Sequence, residues 1–141
     1  MARSTRPVRP DRFATLLLDT GAVLALARRD RRVQAYVVQA QRYAADLRVS
    51  LLSLAELRLD GGDAAAVAWA LSGLRRVGVT EADCRTAARL MSESGTRGST
   101  VDAVIAAAAL RLAAPVVMLT SDTKDMARLL DGRKDLAVIR V

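Results

Sequence analysis

Two short apolar runs stand out along the chain because polar residues, including an acid, follow each of them. Leu16–Leu18 is followed directly by Asp19, and Pro115–Leu119 is followed within three residues by Asp122. Uninterrupted apolar runs of this length are typical of strands that are buried on both faces of a parallel sheet. In open parallel sheets, ligands bind beyond the carboxyl ends of the strands. Both acids are therefore candidates for a functional site.

The rest of the chain alternates between strand and helix patterns. Further strands are expected over 47–51, 75–79 and, at a sheet edge, 136–141. Helices are expected over 22–28, 31–45, 63–74, 84–92, 100–110 and 124–130, and a further helix is expected to start near Ser53, after the strand over 47–51. This alternation predicts an α/β fold, a three-layer α/β/α sandwich on a mainly parallel sheet. We expect one domain over 15–141, preceded by a flexible basic arm over 1–14 that contains Pro7, Pro10 and repeated arginines.

Composition removes several classes of active site. The chain has one cysteine and no histidine, which excludes disulfide frameworks, cysteine-based zinc sites and Ser-His-Asp triads. A lone cysteine favours a reducing cytoplasm. The net charge of +7 suggests a polyanionic partner. Charges inside both candidate hydrophobic segments, Asp19 in one and Asp102 and Arg111 in the other, argue against a signal peptide and a membrane span.

Four acids are distinguished by their place next to predicted strand ends or helix starts: Asp19, Glu56, Asp102 and Asp122. Each has a purely structural alternative. Asp19, Asp102 and Asp122 could be helix N-caps, and Glu56 has capping-box spacing from Ser53. Right-handed crossovers bring the strand ends of one polarity to the same edge, so the four acids can meet.

Carboxylate oxygens without histidine or cysteine select hard cations, so Mg²⁺ or Mn²⁺ is the expected metal. Such a site supports hydrolysis of phosphodiesters, and arginines could offset the repulsion between the acids and a nucleic acid. Candidate contacts to the phosphate backbone of a nucleic acid are cations close to helix ends: Arg28, Arg29, Arg31, Arg32 and Lys124. A solvated helix end is the alternative explanation for the four arginines, and an ion pair with Asp122 or Asp125 is the alternative for Lys124.

Four motifs, in order, resemble those of PIN-domain proteins, and among them of VapC-type toxins: 16–26 (LLLDTGAVLAL), 53–56 (SLAE), 101–107 (VDAVIAA) and 119–126 (LTSDTKDM). The resemblance implies a divalent-metal-dependent endoribonuclease, usually dimeric, that a small cognate antitoxin neutralises while conferring operator binding. It places Asp19, Glu56, Asp102 and Asp122 in the catalytic metal site. Thr20 and Thr120 would be supporting hydroxyls, and Asp125 an outer acid.

The chain departs from the family pattern at two places. Gly21 stands where many members carry serine, and the arginine-rich arm lies outside the pattern. One alternative function is a catalytically inactive PIN-like binding or assembly module. Another is a different acid-based phosphotransfer domain, although a phosphatase would need an acid at the position of Gly21. The presence of all four acids favours the nuclease.

Overall fold

The computed structural model describes residues 12–59, 63–96 and 98–141. These residues form five strands and seven helices in the alternating order that the sequence predicts. In chain order they are β1 (Thr15–Leu18), α1 (Thr20–Ala27), α2 (Arg31–Arg42), β2 (Asp46–Ser50), α3 (Leu51–Leu59), α4 (Ala64–Ser72), β3 (Arg75–Val77), α5 (Glu81–Ser94), α6 (Thr100–Leu110), β4 (Val116–Thr120), α7 (Thr123–Leu129) and β5 (Leu136–Arg140).

The sheet is parallel throughout, with the strand order β3-β2-β1-β4-β5. The chain moves outward from β1 to β2 and β3, and it then crosses to the other side of β1 to form β4 and β5. The order therefore reverses between β1 and β4, which is where open α/β sheets place their ligands. Leu18 pairs with Leu119, so Asp19 and Thr120 leave the two strands side by side. We call this side of the sheet the carboxyl edge.

Side chains of the central strands alternate between two apolar layers, because successive residues of a strand point to opposite faces. Leu16 and Leu18 pack in a core with α1, α2 and α4. Leu17 and Met118 pack on the other face with α5, α6 and α7. The run Ala103–Ala109 of α6 is buried along its whole length. The three-layer α/β/α prediction is therefore confirmed.

Some predicted boundaries are wrong by a few residues. The second helix ends at Arg42 rather than near 45, because Ala44 adopts a left-handed backbone conformation (φ 54°) that a helix cannot continue through. The third helix begins at Leu51, directly after β2.

Most of the predicted arm, residues 1–11, lies outside the described residues. Phe13 and Ala14, which the sequence analysis placed in the arm, belong structurally with the domain. Phe13 is buried, and the Ala14 N–H donates to the Pro115 carbonyl at 2.8 Å. None of the helices in the described part of the chain is long and apolar enough to cross a membrane.

Candidate functional site

Asp19 lies at the carboxyl edge between β1 and α1, and it has two roles. Its Oδ1 accepts the N–H of Ala22 at 2.9 Å, so the N-cap interpretation is correct. Its Oδ2 accepts a hydrogen bond from the Thr120 hydroxyl. Burial raises the pKa of Asp19. Hydrogen bonding to Thr120 and Ala22 and the nearby Ser121 backbone lower this pKa, whereas the negative charge of Glu56 raises it further. Capping thus uses Oδ1 of Asp19, and Oδ2 lies at the carboxyl edge.

Glu56 lies in the second turn of α3 and is held by the Thr20 hydroxyl, which donates to Oε2 at 3.0 Å. The capping-box interpretation of Ser53 and Glu56 is wrong. The helix begins two residues before Ser53, and Ser50 satisfies its start, since Ser50 Oγ accepts the Leu52 N–H at 3.1 Å. Glu56 therefore has no capping role, and its negative charge raises the pKa of both Asp19 and Asp102.

Asp102 occupies the first turn of α6, but it is not the cap of this helix. Ser99 is the N-cap, and its hydroxyl accepts the Asp102 N–H at 3.4 Å. The pKa of Asp102 is raised to about 6, first by burial and then by four neighbouring negative charges. Those charges, in decreasing order of effect, belong to Glu56, Asp122, Asp19 and Asp125. Five acids from four separate segments thus converge on this helix end.

Asp122 and Asp125 come from the loop after β4 and the first turn of α7. Asp122 is the N-cap of α7 and accepts the Lys124 N–H at 3.2 Å, as the alternative interpretation predicted. Its own N–H donates to the Thr120 hydroxyl at 3.1 Å. The Asp125 carboxylate packs against Gly98, where a Cβ would come within 2.8 Å of Oδ2. The absence of a side chain at Gly98 therefore lets α7 bring Asp125 next to the start of α6.

The donor set fits a hard divalent cation in its chemistry. Among the side chains that the structure describes, no ion pair joins Asp19, Glu56, Asp102 or Asp122 to an arginine or lysine. In the described ranges, no three His, Cys, Asp or Glu side chains lie close enough together to hold one ion. The two findings are compatible, because Mg²⁺ keeps several waters and needs only one or two direct carboxylates.

The predicted RNA contacts lie in two different places. Lys124 is exposed in the first turn of α7, next to Asp122. The four exposed arginines follow the far end of α1, whose eight residues extend about 12 Å from Asp19. One of them, Arg29, stacks its guanidinium 4.4 Å from the centre of the Trp69 ring. The structure brings the acids together but does not bring the arginine cluster next to them.

Arg140 is a cation at the carboxyl edge that the sequence analysis missed. It ends β5 in register with Thr120, and its side chain is exposed. Neighbouring strands lie about 4.8 Å apart, so Arg140 stands one strand away from the residue that holds Asp19. The signal was available, because the rule that placed the acids at strand ends applies equally to a cation at the end of β5.

Comparison with known proteins agrees with this architecture. Residues 16–129 match the family model of the PIN domain. No curated protein matches the sequence significantly. Three similar structures are VapBC2 from Rickettsia felis bound to a promoter DNA fragment, VapBC-1 from nontypeable Haemophilus influenzae, and VapBC-5 from Mycobacterium tuberculosis.

The first of these has a TM-score of 0.69 and 15% identity, over 89% of this chain and 98% of that chain. The second has a TM-score of 0.63 and 20% identity, over 89% and 97%. The third has a TM-score of 0.55 and 26% identity, over 91% and 99%. The family model spans most of the sequence, and the sequence motifs, the sheet order and the similar structures all agree with it. The chain therefore belongs to the PIN domain family.

Proposed function

We propose that this protein is a divalent-metal-dependent endoribonuclease that acts as the toxin of a toxin–antitoxin pair. Membership of the PIN domain family and similarity to VapBC structures support the class of protein. The lack of histidine supports an acid-based reaction, because carboxylates that hold a metal ion can support phosphodiester hydrolysis without histidine.

The setting of Asp102 is the observation that carries this proposal. Burial, and then four other carboxylates, raise its pKa to about 6, and among the side chains that the structure describes no basic group pairs with it. Concentrated negative charge of this kind is costly in a folded protein unless a ligand of opposite charge uses it. A divalent cation is the ligand that suits oxygen donors.

Two of the four acids are oriented by a neighbouring threonine hydroxyl. Thr120 holds Asp19, and Thr20 holds Glu56. We assign Asp19, Asp102, Asp122 and Glu56 to holding Mg²⁺ or Mn²⁺, with Asp125 outside them. When bound, the ion would lower the pKa of a bound water and stabilise charge on the phosphate.

Cations at the carboxyl edge would hold the RNA backbone. Lys124 and Arg140 flank the acids, on α7 and at the end of β5. Each can neutralise a phosphate next to the one that is cleaved. The arginines over 28–32 would serve only RNA that extends about 12 Å beyond the acids.

A cognate antitoxin and a second copy of this chain are the proposed protein partners, and the cytoplasm is the proposed compartment. VapBC-5 from Mycobacterium tuberculosis is a member of a family of toxin–antitoxin systems, which supports the first partner. Exposed apolar side chains on or next to α2 and α4 are available for a protein contact: Val38, Tyr43 and Trp69.

Cleavage of total RNA by the purified chain, in Mg²⁺ or Mn²⁺ and then in EDTA, tests the proposal. Asp102→Asn is the informative variant, because it removes the charge on which the other acids converge. Glu81→Gln is the matched control, since Glu81 is exposed in α5 and pairs only with Arg85 in the described structure. We expect metal-dependent fragments from wild type and Glu81→Gln, and a loss of at least about 100-fold for Asp102→Asn.

Binding of Mn²⁺, followed as the rise in Tm on adding the ion, gives a second readout that needs no RNA. A folded, antitoxin-free wild type that neither cleaves RNA nor gains Tm with Mn²⁺ would contradict the proposal. That result would favour the inactive binding module.

A further inference from the structure

Gly21 and Ser121 form a coupled pair across the switch between β1 and β4. Gly21 is the second residue of α1, and Ser121 is the first residue after β4. A Cβ built on Gly21 would lie 2.1 Å from Ser121 Oγ and 2.6 Å from Ser121 Cβ, closer than real side-chain carbons approach. The Ser121 side chain thus fills the space that a side chain at position 21 would need.

The backbone gives no other reason for glycine at this position. Gly21 lies inside a helix, and it is not among the residues with positive φ. A helical glycine normally costs about 1 kcal/mol relative to alanine. The requirement for glycine therefore comes from the close approach of Ser121.

Ser121 also touches the first acid of the site. Its backbone N–H lies near enough to the Asp19 carboxylate to lower the pKa of that group. The preceding residue, Thr120, donates its hydroxyl to the same carboxylate. The Ser121 residue is nevertheless exposed at the carboxyl edge.

We propose that Ser121 is a substrate-binding residue: its hydroxyl, seated against Gly21 beside Asp19, donates a hydrogen bond to a nonbridging oxygen of the RNA phosphate bound there. This inference rests on the proposed nuclease function. It explains why the chain combines a glycine after Asp19-Thr20 with a serine after Thr120. The hydroxyl enters this space from β4 instead of from α1.

Ser121→Ala is the direct test, because alanine keeps the Cβ and removes only the hydroxyl. Loss of one hydrogen bond to a charged oxygen predicts cleavage of total RNA about tenfold slower than wild type. Since the hydroxyl serves the phosphate, the affinity for Mn²⁺, measured by electron paramagnetic resonance, should be unchanged, and so should Tm. Equal cleavage rates for the two proteins, or a loss of Mn²⁺ affinity as large as the loss of rate, would overturn the assignment.

Two further variants separate packing from chemistry. Gly21→Ser alone places two side chains in one space, so it should lower both Tm and cleavage. The exchange variant Gly21→Ser/Ser121→Gly keeps one hydroxyl in that space, so it should recover Tm and most of the wild-type rate. Recovery of Tm without recovery of rate would show that only the packing is coupled, against the proposal.

The same assays distinguish failure of this inference from failure of the nuclease proposal. A wild type that cleaves no RNA and binds no Mn²⁺ rejects both. If wild type cleaves RNA and Ser121→Ala cleaves it equally fast, only the role of Ser121 is rejected.

Discussion

The two ends of α6 carry charge in opposite ways. At its carboxyl-terminal end, Arg111 donates to Asp83 from Nε at 2.9 Å and from Nη2 at 3.0 Å, and to the Gly78 carbonyl at 2.7 Å. At its amino-terminal end, Asp102 has four negative neighbours and, in the ranges that the structure describes, no basic partner. The helix dipole favours both charges where they stand. The difference lies in the partners.

The partners set opposite pKa shifts. The hydrogen bonds from Arg111 hold the pKa of Asp83 below its usual range, despite burial, and Asp83 in turn raises the pKa of Arg111. Burial and like charges raise the pKa of Asp102 to about 6. One end of the helix is therefore arranged for stability. At the other end, like charges lower the stability of the fold but form a site that a cation can bind, and such loss of stability is common at functional sites.

Asp83→Ala should have the largest effect on the fold. Asp83 is 3% exposed and also completes a capping box with Thr80. Breaking a fully buried pair costs more, but the Arg111 side chain is 42% exposed, so we expect the free energy of unfolding to fall by about 2–3 kcal/mol. Urea denaturation at pH 7 measures this change.

Glu81→Ala is the matched control for this measurement, because Glu81 lies in the same first turn of α5. Its pair with Arg85 joins side chains that are about 80% exposed. Loss of such a surface pair should cost less than about 0.5 kcal/mol. Equal effects of the two substitutions would remove the contrast between the ends of α6.

Asp102→Asn should act in the opposite direction and with a pH dependence of its own. A carboxyl whose pKa is higher in the folded state binds more protons there, so its contribution to stability falls as pH rises from about 4 to about 6. Asparagine cannot ionise. In EDTA at pH 7 the variant should therefore be more stable than wild type by about 1 kcal/mol, after allowance for solvent screening.

Urea denaturation at pH 4.5, 5.5 and 7 in EDTA gives the slope. The advantage of Asp102→Asn should shrink as pH falls, because wild-type Asp102 then becomes neutral too. A destabilised variant at pH 7 would instead mean that the Asp102 carboxylate has a favourable partner, and the two ends of α6 would then be alike.

The two ends also differ in how far the sequence predicts them. The acids at the carboxyl edge were predictable, because a parallel topology puts Asp19 and Asp122 at one edge whatever the details of packing. The Asp83–Arg111 pair was not. The local spacing from Thr80 indicates only a capping role for Asp83, which is correct but incomplete, because its partner Arg111 lies 28 residues away at a position that only the packing of α5 against α6 defines.

The main error at the site, the capping box assigned to Ser53 and Glu56, arose because two nearby serines are both suitable helix caps. Ser50 and Ser53 are both good caps, and Ser53 has an acid at the right spacing. The structure uses Ser50, because β2 ends there and α3 follows without a loop. In contrast, β1 and β4 were located to within one residue, since runs buried on both faces leave little freedom of register.

Arg140→Ala should give the smallest effect, and it tests whether the cations beside the acids serve the substrate or the fold. Arg140 is exposed at the end of β5, next to Thr120. If it holds a phosphate, its removal should weaken RNA binding about threefold and lower the slope of log K against log salt by about one. Filter binding in EDTA, at several salt concentrations, measures both quantities without cleavage.

Arg133→Ala is the control, because Arg133 is also exposed but precedes β5 at the opposite edge. If Arg140→Ala left RNA binding equal to the control but lowered the free energy of unfolding, Arg140 would be a partner of the acids. The amino-terminal end of α6 would then be compensated in the same way as the carboxyl-terminal end.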